Sequence, residues 1–328
     1  MVALDVCLYI LSALGGLVVG SFLNVCIYRL PRGEFFSKSR SFCPNCKSPI
    51  KAYDNIPVLS YIILRGKCRS CGERISPRYP LVELLTCALW VGNYAAFGLD
   101  GMTIVYDITV AVLIVAAFVD LDTFEIPDSG IVTLLILGAI TFAPFGGVSW
   151  QDKLIGCVCV SVPMLIVCLF GGMGFGDVKL YFVLGLLLGW KKILVVFLLS
   201  VVLGAAVSVV YLVIKRRKAA ADDSIENSGE QDEERCSVDF SDAGRADDAK
   251  VVAVGEEREE TFAEDKSEEG QASAVGEVSD VSDEDDDPLP KSKKGSVVPF
   301  GPFIALATVV TLYVGDALIS IYARLLGL

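Results

Sequence analysis

Histidine occurs nowhere in the 328 residues. Its absence excludes imidazole-ligated metal sites and every mechanism in which histidine activates a serine or cysteine. Acid–base chemistry near neutral pH then falls to other groups, carboxylates first. The start of the chain, MVALDVCLY, lacks the basic n-region of a cleavable signal peptide, and no A-x-A-like site follows it. The first apolar run is therefore expected to stay as a helix. Residues 219–296 have almost no aromatic side chains and are mostly Asp, Glu, Ser, Gly and Ala. Such a stretch cannot bury enough apolar surface to offset its ordering entropy, so it is expected to be disordered. It reads as a solvated linker or, in a sharper form, as a docking segment for a basic partner; anionic lipid would repel it. No nucleic acid is expected as a partner.

Apolar residues make up 53% of the chain and its mean hydropathy is +0.58, too high for an ordinary soluble domain of this size. The net charge of −12 is unevenly placed. Residues 219–290 carry 26 of the 40 acidic and 5 of the 28 basic residues, so that tract is −21 and the rest of the chain is +9. A bilayer crossing takes about 20 apolar residues. Stretches near 6–28, 80–98, 102–121, 128–146, 153–171, 178–190, 193–214 and 299–322 are candidates. The expectation is eight spans, or seven with a re-entrant segment, since the sixth is short and meets Lys191 and Lys192. Residues 29–79 hold eleven Lys/Arg against three acids, which makes that loop cytoplasmic by the positive-inside rule. Alternating from there puts residues 120 and 177 and the 215–298 segment on the cytoplasmic side. The KRRK run at Lys215–Lys218 and the KSKK run at 291–294 agree; Lys191 and Lys192 do not.

Four of the eleven cysteines form two C-x2-C pairs, Cys43/Cys46 and Cys68/Cys71, with 21 residues between them. Each pair can offer two thiolates to one tetrahedral Zn²⁺, and a basic loop of this size has too little core to fold unaided. Four thiolates close the coordination sphere, so such a zinc would be structural. A redox pair and a metal-free arrangement are the alternatives; disulfides are disfavoured in the cytosol. Cys7, Cys26, Cys87, Cys157, Cys159 and Cys168 sit in apolar runs and read as small buried hydrophobes, and Cys236 as incidental.

Ionisable groups within apolar spans are costly and therefore informative. One span ends in Val119-Asp120-Leu-Asp122 and is followed by Ile126-Pro127-Asp128. Pro127 is expected to stop the helix and Asp128 to open the next. Asp120 and Asp122 lie about 200° apart on a helix, so only one can face a given partner. The second cluster is Gly172-Met-Gly174-Phe-Gly176-Asp177-Val-Lys179. Each aspartate alone reads as easily as a helix cap at an interface. Two such clusters at matched depth suggest a carboxylate pair in which one member holds a proton while the other activates water. A pairing of Asp177 with Asp107, in Tyr106-Asp107, is rejected: Asp107 lies about 20 Å along a helix from Asp120, at the opposite face.

Taken together these motifs resemble the bacterial type IV prepilin peptidases, membrane aspartyl proteases of the GxGD type. The resemblance runs through Gly20-Ser-Phe-Leu-Asn-Val25, Ile27-Tyr-Arg-Leu-Pro31, Asn55-Ile-Pro-Val-Leu-Ser60, both cysteine pairs, Arg78-Tyr-Pro-Leu-Val-Glu83, the Asp120 and Asp177 clusters, and Val298-Pro-Phe-Gly-Pro-Phe303. It implies catalytic Asp120 and Asp177, with Asp120 preferred over Asp122, and cleavage after the basic leader of prepilins and pseudopilins. It also implies N-methylation of the new terminus from S-adenosylmethionine, for which the sequence shows no separate fingerprint. The expected architecture is an all-α polytopic membrane protein. It comprises a first helix (1–28), a cytoplasmic four-cysteine zinc-binding module resembling a zinc ribbon (29–79), a transmembrane peptidase core (80–218), a disordered acidic cytoplasmic insertion (219–298) and a last helix (299–328). The insertion departs from the family, whose corresponding loop is usually short. A peptidase without methyl transfer, and a transporter relaying protons through its aspartates, are the competing readings.

Overall fold

A computed structural model of the chain describes residues 2–34, 41–43, 45–142, 148–171, 173–238 and 299–325. The chain divides into two compact units, one of residues 1–210 with 289–328 and one of residues 211–288. The described residues are almost wholly helical: α1 (Val2–Arg29), α2 (Leu59–Ile63), α3 (Arg78–Phe97), α4 (Gly101–Thr123), α5 (Asp128–Ile140), α6 (Trp150–Cys159), α7 (Ser161–Leu169), α8 (Phe175–Leu188), α9 (Trp190–Val238) and α10 (Gly301–Leu325). Residues 29–79 add only a 3₁₀ turn, Ala52–Asn55, and two isolated β-bridges.

Among the described residues, six helical stretches are long and apolar enough to cross a membrane: Val2–Arg29, Arg78–Phe97, Gly101–Thr123, Trp150–Leu169, Trp190–Arg217 and Gly301–Ile321. Together with α5 and α8, every apolar run expected from sequence is a helix, but these two fall short of a crossing. At 1.5 Å per residue α8 is about 21 Å long, against about 30 Å of hydrocarbon. Gly189, at φ +79, ends α8 by turning its N–H back to the Gly185 carbonyl, and α9 starts one residue later. The fifth run is broken between α6 and α7. Pro163 has no N–H for the Cys159 carbonyl and its ring crowds that turn, which is where the helix is interrupted.

Helix α8 is apolar on all sides and accordingly buried. Leu180, Tyr181, Val183, Leu184 and Leu187 are each at most 2% exposed, packed among α5, α6 and α7. Helices α1 and α3 form another tight pair. A Cβ on Gly20 would come 2.7 Å from the Glu83 Cα, so only glycine lets the two backbones approach so closely. Four buried threonine hydroxyls are satisfied inside their own helices: Thr86, Thr109, Thr308 and Thr311 each donate to the carbonyl four residues back at 2.7–2.8 Å.

In the second unit the backbone of α9 stays helical to Val238, so residues 219–238 depart from the expected disorder. The composition argument bears on tertiary burial. It does not prevent a helix already nucleated in an apolar segment from propagating through Ala, Lys, Arg and Glu. Residues 239–298, the remainder of the acidic insertion, lie outside the described residues.

Candidate active site

Asp120 sits in the last turn of α4. That helix ends where Phe124 takes a left-handed conformation (φ 59°) and returns its N–H to the Asp120 carbonyl at 2.9 Å. Asp177 sits in the first turn of α8. Both carboxylates are buried, at 5% and 8% exposure, and Asp177 lies within Coulombic range of Asp120. Two further contacts tie the clusters together. Gly176 packs on Ile126, and Lys179 forms a 2.7 Å ion pair with Asp128. The residues flanking Asp177 therefore hold the segment that follows Asp120.

A third element completes the site. The Gly301 N–H, at the start of α10, donates to Asp120 Oδ2 at 2.8 Å. Helix N-termini present unpaired amides, so this donor orients one oxygen of the Asp120 carboxylate. A Cβ at Gly301 would lie 2.7 Å from the same oxygen, so a larger residue there would push the Asp120 carboxylate aside. Sequence reasoning placed residues 298–303 at the start of the last span without giving Gly301 a role. The signal available was a Gly-Pro pair at a helix start. Tyr181, one turn beyond Asp177, is fully buried and shares a 2.7 Å hydrogen bond with the Ser200 hydroxyl.

The other acidic candidates are committed elsewhere. Arg78 Nη1 contacts both Asp122 oxygens, at 3.0 and 2.8 Å, while its Nη2 donates to the Phe118 carbonyl at 2.9 Å. Asp107 accepts from Asn93 Nδ2 at 2.7 Å, and Tyr313 donates to Asn93 Oδ1 at 2.7 Å. Charges gather at both ends of the bundle. Arg78, Asp120, Asp122, Asp128, Asp177 and Lys179 lie at one end. At the other, Lys192 pairs with Asp316 at 3.0 Å and the Trp190 indole donates to Asp152 at 2.9 Å. Lys192, one of the two lysines that disagreed with the charge-based orientation, thus has an acidic partner.

The four paired cysteines converge: their sulfurs all lie within 4.8 Å of one another, with Cys43 and Cys71 Sγ 3.9 Å apart. Bonds of about 2.3 Å in a tetrahedron require S···S separations of about 3.8 Å. The two halves repeat one hairpin. The Cys43 N–H bonds the Ser48 carbonyl and the Cys68 N–H bonds the Glu73 carbonyl; the Lys47 and Gly72 N–H groups return to the carbonyls of Cys43 and Cys68. Bridges Phe42–Pro49 and Lys67–Arg74 close each knuckle, with Lys47 and Gly72 both at positive φ. The Ser48 hydroxyl and amide hold the Cys46 thiol down to about 6, and the Cys71 and Ser70 amides lower Cys68. Cys71, despite a hydrogen bond from the Glu73 amide, is pushed up to about 11 by burial and its neighbouring thiols. This donor set fits a soft divalent cation such as Zn²⁺ and closes around it.

These features define a multi-pass membrane protein with two acids brought together at one end of its helix bundle and a four-cysteine cluster that could hold a metal ion. The chain belongs to the type IV leader peptidase family, whose model matches residues 108–209; the bacterial peptidase A24 N-terminal domain matches residues 14–97. It is 39% identical over 250 residues to a prepilin leader peptidase/N-methyltransferase of Neisseria gonorrhoeae, covering 67% of this chain and 87% of that protein. A like-named protein of Myxococcus xanthus is 36% identical, covering 62% of each chain, and one of Aeromonas hydrophila is 38% identical, covering 61% of this chain and 79% of that one. No solved structure matches the chain.

Proposed function

We propose that this protein removes the basic leader of type IV prepilins and pseudopilins with Asp120 and Asp177 and then N-methylates the new terminus. The observation that carries the peptidase part is the convergence of two buried carboxylates from α4 and α8 at one end of the bundle, with the Gly301 amide fixing one of them. Carboxylates buried within Coulombic range of each other do not both ionise freely, so one holds a proton while the other is a carboxylate. The carboxylate takes a proton from water as it attacks the scissile carbonyl; the protonated partner donates to the carbonyl oxygen. No histidine is needed, and none is present. Methyl transfer, and with it use of S-adenosylmethionine, is drawn from the names of the relatives.

The basic cysteine loop and the dyad end of the bundle are assigned to the cytoplasm on their charge. There the apolar helix of a substrate would lie in the bilayer and its leader would reach the dyad. Cys43, Cys46, Cys68 and Cys71 would hold a structural Zn²⁺, giving a small basic loop the stability its core cannot supply. Asp120→Ala and Asp177→Ala should each abolish leader removal while membrane insertion persists; cleavage retained in either variant refutes the dyad. Mass measurement of the mature pilin N-terminus tests methylation, and metal analysis should give about one Zn²⁺ per chain, lost when Cys43 and Cys46 become Ser.

A further inference from the structure

The basic loop between α1 and α3 carries an apolar face. Leu59, Ile62 and Ile63 in α2 are 50%, 64% and 63% exposed. They stand at i, i+3 and i+4, so they share one side of the helix. Ile56, one turn earlier, extends that side and is also exposed, whereas Ser60 on the opposite side is buried. A contiguous apolar face of this kind is unusual against water and marks a contact surface.

Its neighbours place α2 beside the membrane-length helices. The Val58 N–H, immediately before α2, donates to Glu83 Oε2 at 2.7 Å. Glu83 packs against Gly20, which lies nine residues before the end of α1, about 13 Å along that helix. Side chains on α3 lean toward its N-terminus, so Glu83 reaches back toward the loop. That leaves α2 at roughly the 5–10 Å depth of an interfacial apolar face. Independently, Asn55, Ile56 and Pro57 share a cleft with Val18 and Phe22 of α1, both more than half exposed on a helix long enough to cross the bilayer. Between its two cysteine knuckles the chain therefore dips back alongside the apolar length of α1.

Backbone polar groups at such a depth have no water to meet and must be satisfied by protein. The Ser60 hydroxyl accepts the Ile56 N–H at 2.9 Å and donates to the Tyr53 carbonyl at 3.1 Å. The N–H groups of Ser60, Ile62 and Leu64 bond the carbonyls of Ile56, Val58 and Ser60. Arg65 and Lys67 follow α2 directly and are exposed. Residues 29–79 as a whole carry eleven basic residues against three acids, complementary to anionic headgroups.

We propose that residues 56–63 insert as a re-entrant wedge into the bilayer leaflet on the side of the cysteine loop. Leu59, Ile62 and Ile63 lie among acyl chains, with Arg65 and Lys67 at anionic headgroups. The cysteine module is thereby held against the membrane at a third point besides α1 and α3.

The test uses full-length protein in liposomes of phosphatidylcholine and phosphatidylglycerol. An aryl diazirine dissolved in the acyl chains and a water-soluble diazirine are photolysed separately, and peptide mass mapping compares where each inserts. Residues 56–63 should take the acyl-chain probe about tenfold more than residues 69–74, with the reverse order for the aqueous probe. Aqueous labelling of residues 56–63 at the level of residues 69–74 overturns the insertion. Labelling by neither probe, the result for a face covered by a second copy, overturns it as well. Phosphatidylglycerol bearing a diazirine should label residues 56–67 about fivefold or more over phosphatidylcholine bearing it at equal mole fraction. Arg65→Gln with Lys67→Gln should erase that preference while acyl-chain labelling persists, and leader cleavage reports that the fold is kept. No preference for the anionic lipid, or one that survives both substitutions, overturns the headgroup contact.

Discussion

Replacing Asp120 and Asp122 separately by Asn tests the reasoning most directly, because the two residues share a helix end and differ only in what they meet. Asp122 lies at the surface in an ion pair with Arg78, with the two side chains 35% and 34% exposed. Exposed pairs contribute about 0.2–1 kcal/mol after solvent screening. Asn keeps a hydrogen-bond acceptor for the guanidinium, and Arg78 keeps its bond to the Phe118 carbonyl. Asp122→Asn should therefore cost under about 1 kcal/mol of stability and less than about fivefold in cleavage rate. Asp120 is buried, shares its site with Asp177 and accepts the Gly301 N–H. Asn there preserves shape but can neither take nor give a proton, and losing such a group costs about 10²–10⁴ in rate. The two variants should differ by about a hundredfold or more. The assay is single-turnover leader removal from a purified prepilin in liposomes, with helical content and thermal stability measured in parallel. Equal losses in both variants at equal stability would refute the reading of Asp122 as a surface ion-pair partner.

Gly301→Ala should lower leader cleavage by about tenfold or more without preventing insertion, because its Cβ would displace Asp120 Oδ2 while the N–H remains; cleavage kinetics against membrane abundance check this. In chelator-treated protein, alkylation should reach Cys46 before Cys71, with a midpoint near pH 6 for Cys46. Its thiolate is held down to about 6, so it reacts above that pH and is protected below it, whereas Cys71 stands near 11; peptide mass spectrometry reads both. Ser48→Ala removes the hydroxyl that lowers Cys46 and should move that midpoint upward. Asp107→Asn should leave leader cleavage within about threefold, since Asp107 serves a hydrogen-bond cluster with Asn93 and Tyr313 away from the dyad end.

The sequence by itself determined the class of molecule. Apolar runs of bilayer length need no tertiary information, because each helix satisfies its own backbone in lipid. The C-x2-C spacing likewise specified two equivalent knuckles, since a cysteine knuckle is a local hairpin. The periodicity of α4 already separated Asp120 from Asp122 by face, though it could not say which face met Asp177. Only the tertiary structure decided that, by sending Asp122 to Arg78 and Asp120 to the Gly301 amide, contacts across 44 and 181 residues of sequence. It also decided that α5 and α8 are too short to cross alone. The left-handed Gly189 ends α8, a turn to which hydropathy is blind. The helical start of the acidic tract was missed because composition reports on burial and says little about propagation from a helix already formed. Local chemistry is written in spacing, whereas the meeting of distant groups depends on packing between helices, which in a membrane leaves almost no trace in hydrophobic pattern.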